Sequence, residues 1–328
     1  MKAITVSAEP PFHMRWEEHP TPTPGQGEVR ISVHATAVNR ADLLQRQGKY
    51  PPPPGASTIL GLEVSGRIDA VGPGVTNYSV GQPVCALLSG GGYAEKVVVA
   101  EELLLPIPRG LSVIQAAALP EVVTTAWLNL WEEARLQPGQ RVLVHAGGSG
   151  VGTMAVQLCA AFGNPVWVTA GTDQKIARCI ELGAQAGANR HTESFAQKAR
   201  DWTEGNGFDV ILDPVGSNYL QDNLKSLAIG GRLVIIGLLG GRQGTVDLGR
   251  LMVKRQTIIG SVLRSRSNHE KGTILSRIRT RVWPEIERGA VQPIMDSVIP
   301  IEQVGKAHER VAANKTLGKV ILTLPAPS

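Results

Sequence analysis

The chain has 328 residues, a formal net charge of +5 and 42% hydrophobic residues. Single cores rarely grow past about 250–300 residues, so two domains are expected, with the composition of an ordinary globular α/β protein. No apolar run reaches the roughly 18 residues that span a bilayer, and the three cysteines form no C-x-x-C pair, which excludes a disulfide framework and points to the reducing cytoplasm.

Met1 to Val6 reads as a short alternating strand rather than the apolar core of a signal peptide. Glu28 to His34 alternates with period two, a short helix is expected around Arg40 to Gln47, and Val97-Val98-Val99 reads as a buried strand. Pro51 to Gly55 is too proline-rich for either regular element. These features predict an antiparallel, barrel-like first domain over residues 1–122.

From about Gln137 the texture changes. Arg141 to Ala146, Pro165 to Ala170, Phe208 to Asp213 and Arg232 to Gly237 are apolar β runs. Helical segments, such as Met154 to Phe162 and Asp173 to Leu182, alternate with them. Continuous apolar strands alternating with helices predict a doubly wound parallel sheet, here over residues 123–266. The tail ends in Lys319 to Leu324, a strand with no helix after it, so the chain is expected to return to the first domain over residues 267–328.

Ala146-Gly147-Gly148-Ser149-Gly150-Val151-Gly152 stands where a dinucleotide fingerprint belongs, after a strand and at the start of a helix. There the backbone must turn tightly and let a pyrophosphate approach, while helix N–H groups and the helix dipole face the anion. Gly147, Gly150 and Gly152 meet that need, and the Ser149 hydroxyl can donate to a phosphate oxygen. The hydrolase elbow G-x-S-x-G fails, because Val151 stands where it needs glycine.

NAD enzymes carry an acidic residue about 20 positions beyond the glycines. Here the second strand ends Gly171-Thr172-Asp173-Gln174-Lys175. Gly171 and Thr172 leave room for a 2′-phosphate, Lys175 can neutralise it, and Arg190 can add a guanidinium. Asp173 reads as the helix N-cap. The alternative is a surface lysine and a solvated arginine. Most other basic residues are interleaved with acids. Arg264, Arg266, Lys271, Arg277, Arg279 and Arg281 are offset only by Glu270, and read as a solvated helix face or an anion site rather than a nucleic-acid surface.

Three segments carry a family resemblance: Ala37-Val38-Asn39-Arg40-Ala41-Asp42 through Tyr50-Pro51, Ile59-Leu60-Gly61-Leu62-Glu63-Val64-Ser65-Gly66, and the glycine turn. With Leu263-Arg264-Ser265-Arg266 they make the chain similar, along essentially its whole length, to the quinone oxidoreductase (zeta-crystallin-like) branch of the medium-chain dehydrogenase/reductases. The resemblance implies a GroES-like catalytic domain beside a Rossmann domain, NADPH as cofactor, and a homodimer joined at the sheet edge around Thr257 to Val262. It places Asn39, Tyr50 and Thr125 beside the nicotinamide and substrate in an interdomain cleft. Gly171, Thr172 and Lys175 fall at the 2′-phosphate, while Arg190 stands where many relatives have tyrosine. Gly237, Leu239, Leu263, Arg264 and Ser265 fall along the nicotinamide ribose and amide. In the zinc enzymes of the superfamily a cysteine and a histidine hold the metal where Asn39 and Leu62 stand here, so no metal site is expected.

An alcohol must lose a proton as hydride leaves, whereas a quinone is already electrophilic. The expected activity is therefore NADPH-dependent quinone reduction, governed by proximity and orientation. Tyr50 would hydrogen-bond the developing oxyanion or pack under the proline loop. Asn39 would line the cleft, cap the helix, or do both. Reduction of enone or enoyl double bonds is the alternative enzyme activity, and an NADPH-binding structural or RNA-binding protein is the non-enzymatic one.

Overall fold

A computed structural model describes residues 1–325, so the last three residues of the expected return segment lie outside the described residues. The chain divides into two compact units. One holds Met1–Thr124, Arg264–Glu287 and the segment from Pro293 onward, and the other holds Thr125–Leu263 with Arg288–Gln292. The return thus begins at Arg264, whose guanidinium donates to Ser89 O, Tyr50 O and Gln45 Oε1 in the first unit. Gln292 stays with the second unit because it and Gln157 exchange two hydrogen bonds, each 3.0 Å.

In the first unit β1 (Lys2–Val6) and β2 (Met14–Glu18) form an antiparallel pair. β3 (Glu28–Val38) is the long central strand, and its burial alternates along its first half as the sequence pattern requires. It pairs antiparallel with β4 (Glu63–Val71) and with β6 (Lys96–Ala100). β5 (Pro83–Leu87) lies between β4 and β7 (Leu104–Pro106). The helix Arg40–Arg46 follows β3 directly and buries Asp42 and Leu43.

The second unit carries β8 (Val142–Val144), β9 (Val166–Ala170), β10 (Ala186–Asn189), β11 (Phe208–Asp213), β12 (Leu227–Ile235) and β13 (Thr257–Gly260). All pair in parallel, in the order β10-β9-β8-β11-β12-β13. That is the Rossmann order 3-2-1-4-5-6, and it puts the switch point at β8, whose turn carries the glycines. Leu143, Ile211, Leu233, Phe208 and Leu224 pack together around this sheet. At its outer edge β13 is followed by half-exposed Val262, and the nearby helix Leu248–Val253 leaves Leu248, Met252 and Val253 exposed.

The chain returns to the first unit with β14 (Met295–Pro300) and β15 (Lys319–Thr323), giving a sheet of order β14-β15-β3-β4-β5-β7. β15 is antiparallel to β3, with Val320 opposite Val38. That register brings Lys319 to the end of β3, next to Asn39. Among the described residues no helix is long and apolar enough to cross a membrane.

Candidate functional site

The turn after β8 is built by close contact. A side chain at Gly152 would place its first carbon 2.3 Å from Ala146 O and 2.6 Å from Gly147 O, so only glycine lets the helix Gly150–Ala161 start there. Ser149 is the helix N-cap and accepts from the Gly152 N–H at 3.0 Å. Its hydroxyl hydrogen remains available to a phosphate. The N–H groups of Gly150 and Val151 lie in the first turn, where the helix itself supplies no partner. Two oriented donors and the positive end of the helix dipole make an anion receptor at this position.

Two cations lie beside it. The Lys175 stem covers Gly148, where an added carbon would come 2.9 Å from Lys175 Cδ. At the end of β9, the same construction at Gly171 reaches Arg190 Nε at 3.4 Å. The helix cap differs from expectation. Thr172, not Asp173, is the N-cap of Asp173–Glu181, and its side chain accepts from the Lys175 N–H. Threonine and aspartate both cap well, and Asp173 instead accepts from Asn189 Nδ2 at 2.8 Å, which ties it to the end of β10.

Gly237 and Leu239 belong to the loop after β12, which lies on the loop after β11. Leu239 N–H donates to Pro214 O and Gly240 N–H to Val215 O. Leu239 is 57% exposed. Thr125 is the first residue of this unit and its carbonyl accepts from Asn129 Nδ2 at 2.7 Å. Leu263 is the last of the long segment and is buried, whereas Arg264 and exposed Ser265 belong to the first unit.

Beneath the glycine turn runs a buried polar chain. His145 Nδ1 meets Thr169 Oγ1 at 2.9 Å and its Nε2 meets Asn223 Oδ1 at 2.7 Å, while Asn223 Nδ2 donates to Asp213 Oδ2 at 3.0 Å. Asp213 also accepts from the Val215 and Gly216 N–H groups. Burial pushes His145 down to about 4 from 6.5, so the folded protein keeps it neutral where the unfolded chain takes up a proton. Its stabilising contribution is complete above pH 6.5 and is lost as pH falls toward 4, the loss reaching about 2–3 kcal/mol at pH 4.5. His145→Gln, which cannot titrate, is expected to show a smaller drop in unfolding free energy between pH 7 and pH 4.5. An unchanged drop in urea titrations would rule His145 out as its source.

In the first unit Asn39 stands at the N-cap position of Arg40–Arg46, and its N–H donates to Asp42 Oδ2 at 2.7 Å. Its side chain faces the Asp42 N–H to complete a capping box, and its amide is engaged further. Asn39 Nδ2 donates to Glu63 Oε1 at 2.9 Å and its Oδ1 accepts from Lys319 Nζ at 2.6 Å. Lys319 Nζ lies 2.7 Å from Glu63 Oε1, and the two side chains are 5% and 0% exposed. Glu63 Oε2 also accepts from the Glu121 N–H at 2.9 Å. Beside this cluster, buried Asp42 accepts from Tyr93 OH and Gly61 N–H, and Tyr93 OH meets His308 Nε2 at 3.2 Å. Burial raises Asp42 to about 6, against the opposing pull of its hydrogen bonds and of Lys319.

Tyr50 is half-buried, with the Arg264 guanidinium over its ring at 5.2 Å. Burial raises its hydroxyl pKa while Arg264 pulls it down. The basic stretch is only in part the solvated face that its composition suggests, since Arg277, Arg279 and Arg281 are exposed while Arg264 and Lys271 are not. Arg264 is buried, and buried Lys271 donates to Ser89 Oγ and Arg264 O. Backbone carbonyls, the Gln45 amide oxygen and the Ser89 hydroxyl take up their charged ends.

Residues 25–109 match the alcohol dehydrogenase GroES-like domain and residues 150–278 the zinc-binding dehydrogenase domain. The chain is 32% identical to the rat (Rattus norvegicus) quinone oxidoreductase over 92% of its own length and 91% of that protein. A mycobacterial protein solved in complex with NADPH superposes with a TM-score of 0.87 at 30% identity, covering 98% of this chain and 100% of that one. The apo JamJ enoyl reductase also reaches 0.87, at 26% identity, with 99% of each chain covered. The donors of this chain do not suit the zinc of the matched domain's description. Leu62 is a buried hydrocarbon, and the Lys319 ammonium already sits against both Glu63 and Asn39. Among the described residues no group of three or more His, Cys, Asp or Glu side chains could hold a metal ion. Sequence reasoning passed over Lys319, Asp42, Tyr93 and His308; the one available signal was a lysine at the head of an otherwise apolar strand.

Proposed function

The chain belongs to the medium-chain dehydrogenase/reductase family, and from that premise we propose that it uses NADPH to reduce quinones. The observation that carries the cofactor choice is the pairing of Lys175 and Arg190 with the glycine turn, through Gly148 and Gly171. NADPH, when bound, supplies the hydride. The Gly150 and Val151 N–H groups with the Ser149 hydroxyl take the pyrophosphate, and Lys175 and Arg190 neutralise the 2′-phosphate. Gly237, Leu239, Leu263 and Thr125 belong to the same reading as contacts of the nicotinamide half. In the first unit, Asn39 Nδ2 and the Tyr50 hydroxyl are the donors for an acceptor oxygen that gains negative charge as hydride arrives. Arg264 holds Tyr50 in place, and Ser265 lies next to it in the chain.

A quinone suits these groups because it needs no deprotonation, and its product oxygens can take protons from water. A second reading, reduction of an enone or enoyl double bond, has the likeness to the JamJ enoyl reductase in its favour. The deciding measurement is loss of NADPH absorbance with an ortho-quinone, a para-quinone and a simple enone, repeated with NADH. Fast loss with quinones and NADPH alone is expected. Turnover of the enone only would transfer the chain to the double-bond reductases, and equal rates with NADH would sink the cofactor assignment.

A further inference from the structure

Asn39 carries an amide whose two ends differ in chemistry, and rotating it by half a turn would exchange donor for acceptor at nearly no steric cost. Here charge forbids the exchange. The Lys319 ammonium stands 2.6 Å from one end of the amide and the Glu63 carboxylate 2.9 Å from the other. A flipped amide would set N–H groups against an ammonium and an oxygen against a carboxylate. Both charges are buried, so water cannot relieve either clash. Lys319 is itself fixed by Glu63 at 2.7 Å and by Val38 O at 3.3 Å, and Glu63 by the Glu121 N–H. Of the two Nδ2 hydrogens, one goes to Glu63, and the other makes a long hydrogen bond of 3.4 Å to Ala37 O, which an acceptor oxygen would displace.

We propose that Lys319 is a positioning residue, which with Glu63 locks the half-buried Asn39 amide so that Nδ2–H, never Oδ1, is offered to the acceptor's carbonyl oxygen. This rests on the reading of Asn39 as an acceptor-binding residue, and it adds a specificity rule. Acceptors must present a hydrogen-bond-accepting oxygen to Asn39, and analogues that present a hydroxyl donor there are rejected. The Lys319 ammonium held against Oδ1 also draws electron density from the amide and strengthens Nδ2–H as a donor, which matters most as the acceptor oxygen becomes anionic.

The test is the charge-free pair Glu63→Gln with Lys319→Met. After Glu63→Gln the new side-chain carbonyl can still accept from the Glu121 N–H, while the new amide donates to Asn39 and turns the Asn39 amide round. The expected result is a folded protein with unchanged NADPH affinity and a kcat for quinone lower by on the order of a hundredfold. The Asn39 side-chain NH2 signal in a 15N-labelled sample, assigned by its absence in Asn39→Asp, should also shift. An unmoved signal overturns the lock, and a moved signal with unaltered kcat overturns the donor role. Should that pair fail to fold, Asn39→Asp with Glu63→Gln keeps one buried carboxylate against Lys319 but offers an acceptor where Asn39 offered a donor. Retained quinone turnover in it would equally overturn the proposal. If the native protein turns over neither quinone nor enone, the functional reading fails by itself, and the NH2 signal still decides whether the ion pair holds the amide.

Discussion

Replacing Lys175 by Met is expected to raise the KM for NADPH by roughly ten- to a hundredfold and to leave that for NADH nearly unchanged. A hydrogen bond to a charged group is worth about 1.5–3 kcal/mol, and each 1.4 kcal/mol is about tenfold in affinity. Methionine is the better choice than alanine because the Lys175 stem covers Gly148, so truncation would remove packing along with charge. Lys175→Ala should therefore weaken both cofactors somewhat, with the NADPH-specific part on top. Arg190 is exposed at the end of β10, where solvent screens its charge, so Arg190→Ala should give a smaller shift of the same kind. Initial-rate kinetics with each cofactor separate these terms. Should Lys175→Met raise both KM values alike, the lysine is not reading a phosphate.

Lys319→Met alone is expected to destabilise the first unit by about 3–5 kcal/mol, because it strands a buried carboxylate without its counter-charge. The Glu63 side chain is fully buried, so no water replaces the ammonium. Loss of Lys319 also removes a pull that holds Asp42 down, and Asp42 then rises above its already elevated value of about 6. Adding Glu63→Gln should recover much of the loss, since a buried ion pair replaced as a whole is often nearly neutral. Hydrogen exchange of the β15 amides reads this locally. Exchange rates in Lys319→Met close to those of the native protein would show that the pair contributes little to holding β15 against β3.

The sequence by itself determined the parts of this protein that depend on local pattern. Period-two alternation marked β3, continuous apolar runs marked the parallel strands, and the glycine turn marked the start of the helix at Gly150. Those signals are legible because strand pleat, helix period and tight backbone approach restrict the residues at the positions themselves. Even locally there was a limit. Thr172 and Asp173 are adjacent and both good caps, and only the link from Asp173 to Asn189 decided between them. That Leu62 cannot ligate a metal was equally readable, whereas the buried Lys319 ammonium against Asn39 and Glu63 was not. Lys319 and Asn39 are 280 positions apart, and their meeting is set by the register of β15 on β3. Burial of Arg264 and Lys271, which composition places on a solvated face, was decided the same way, by carbonyls and hydroxyls brought from Ser89 and Tyr50. A charge is stable inside a protein only where distant parts of the chain bring it partners, so the fate of each buried charge belongs to the tertiary structure.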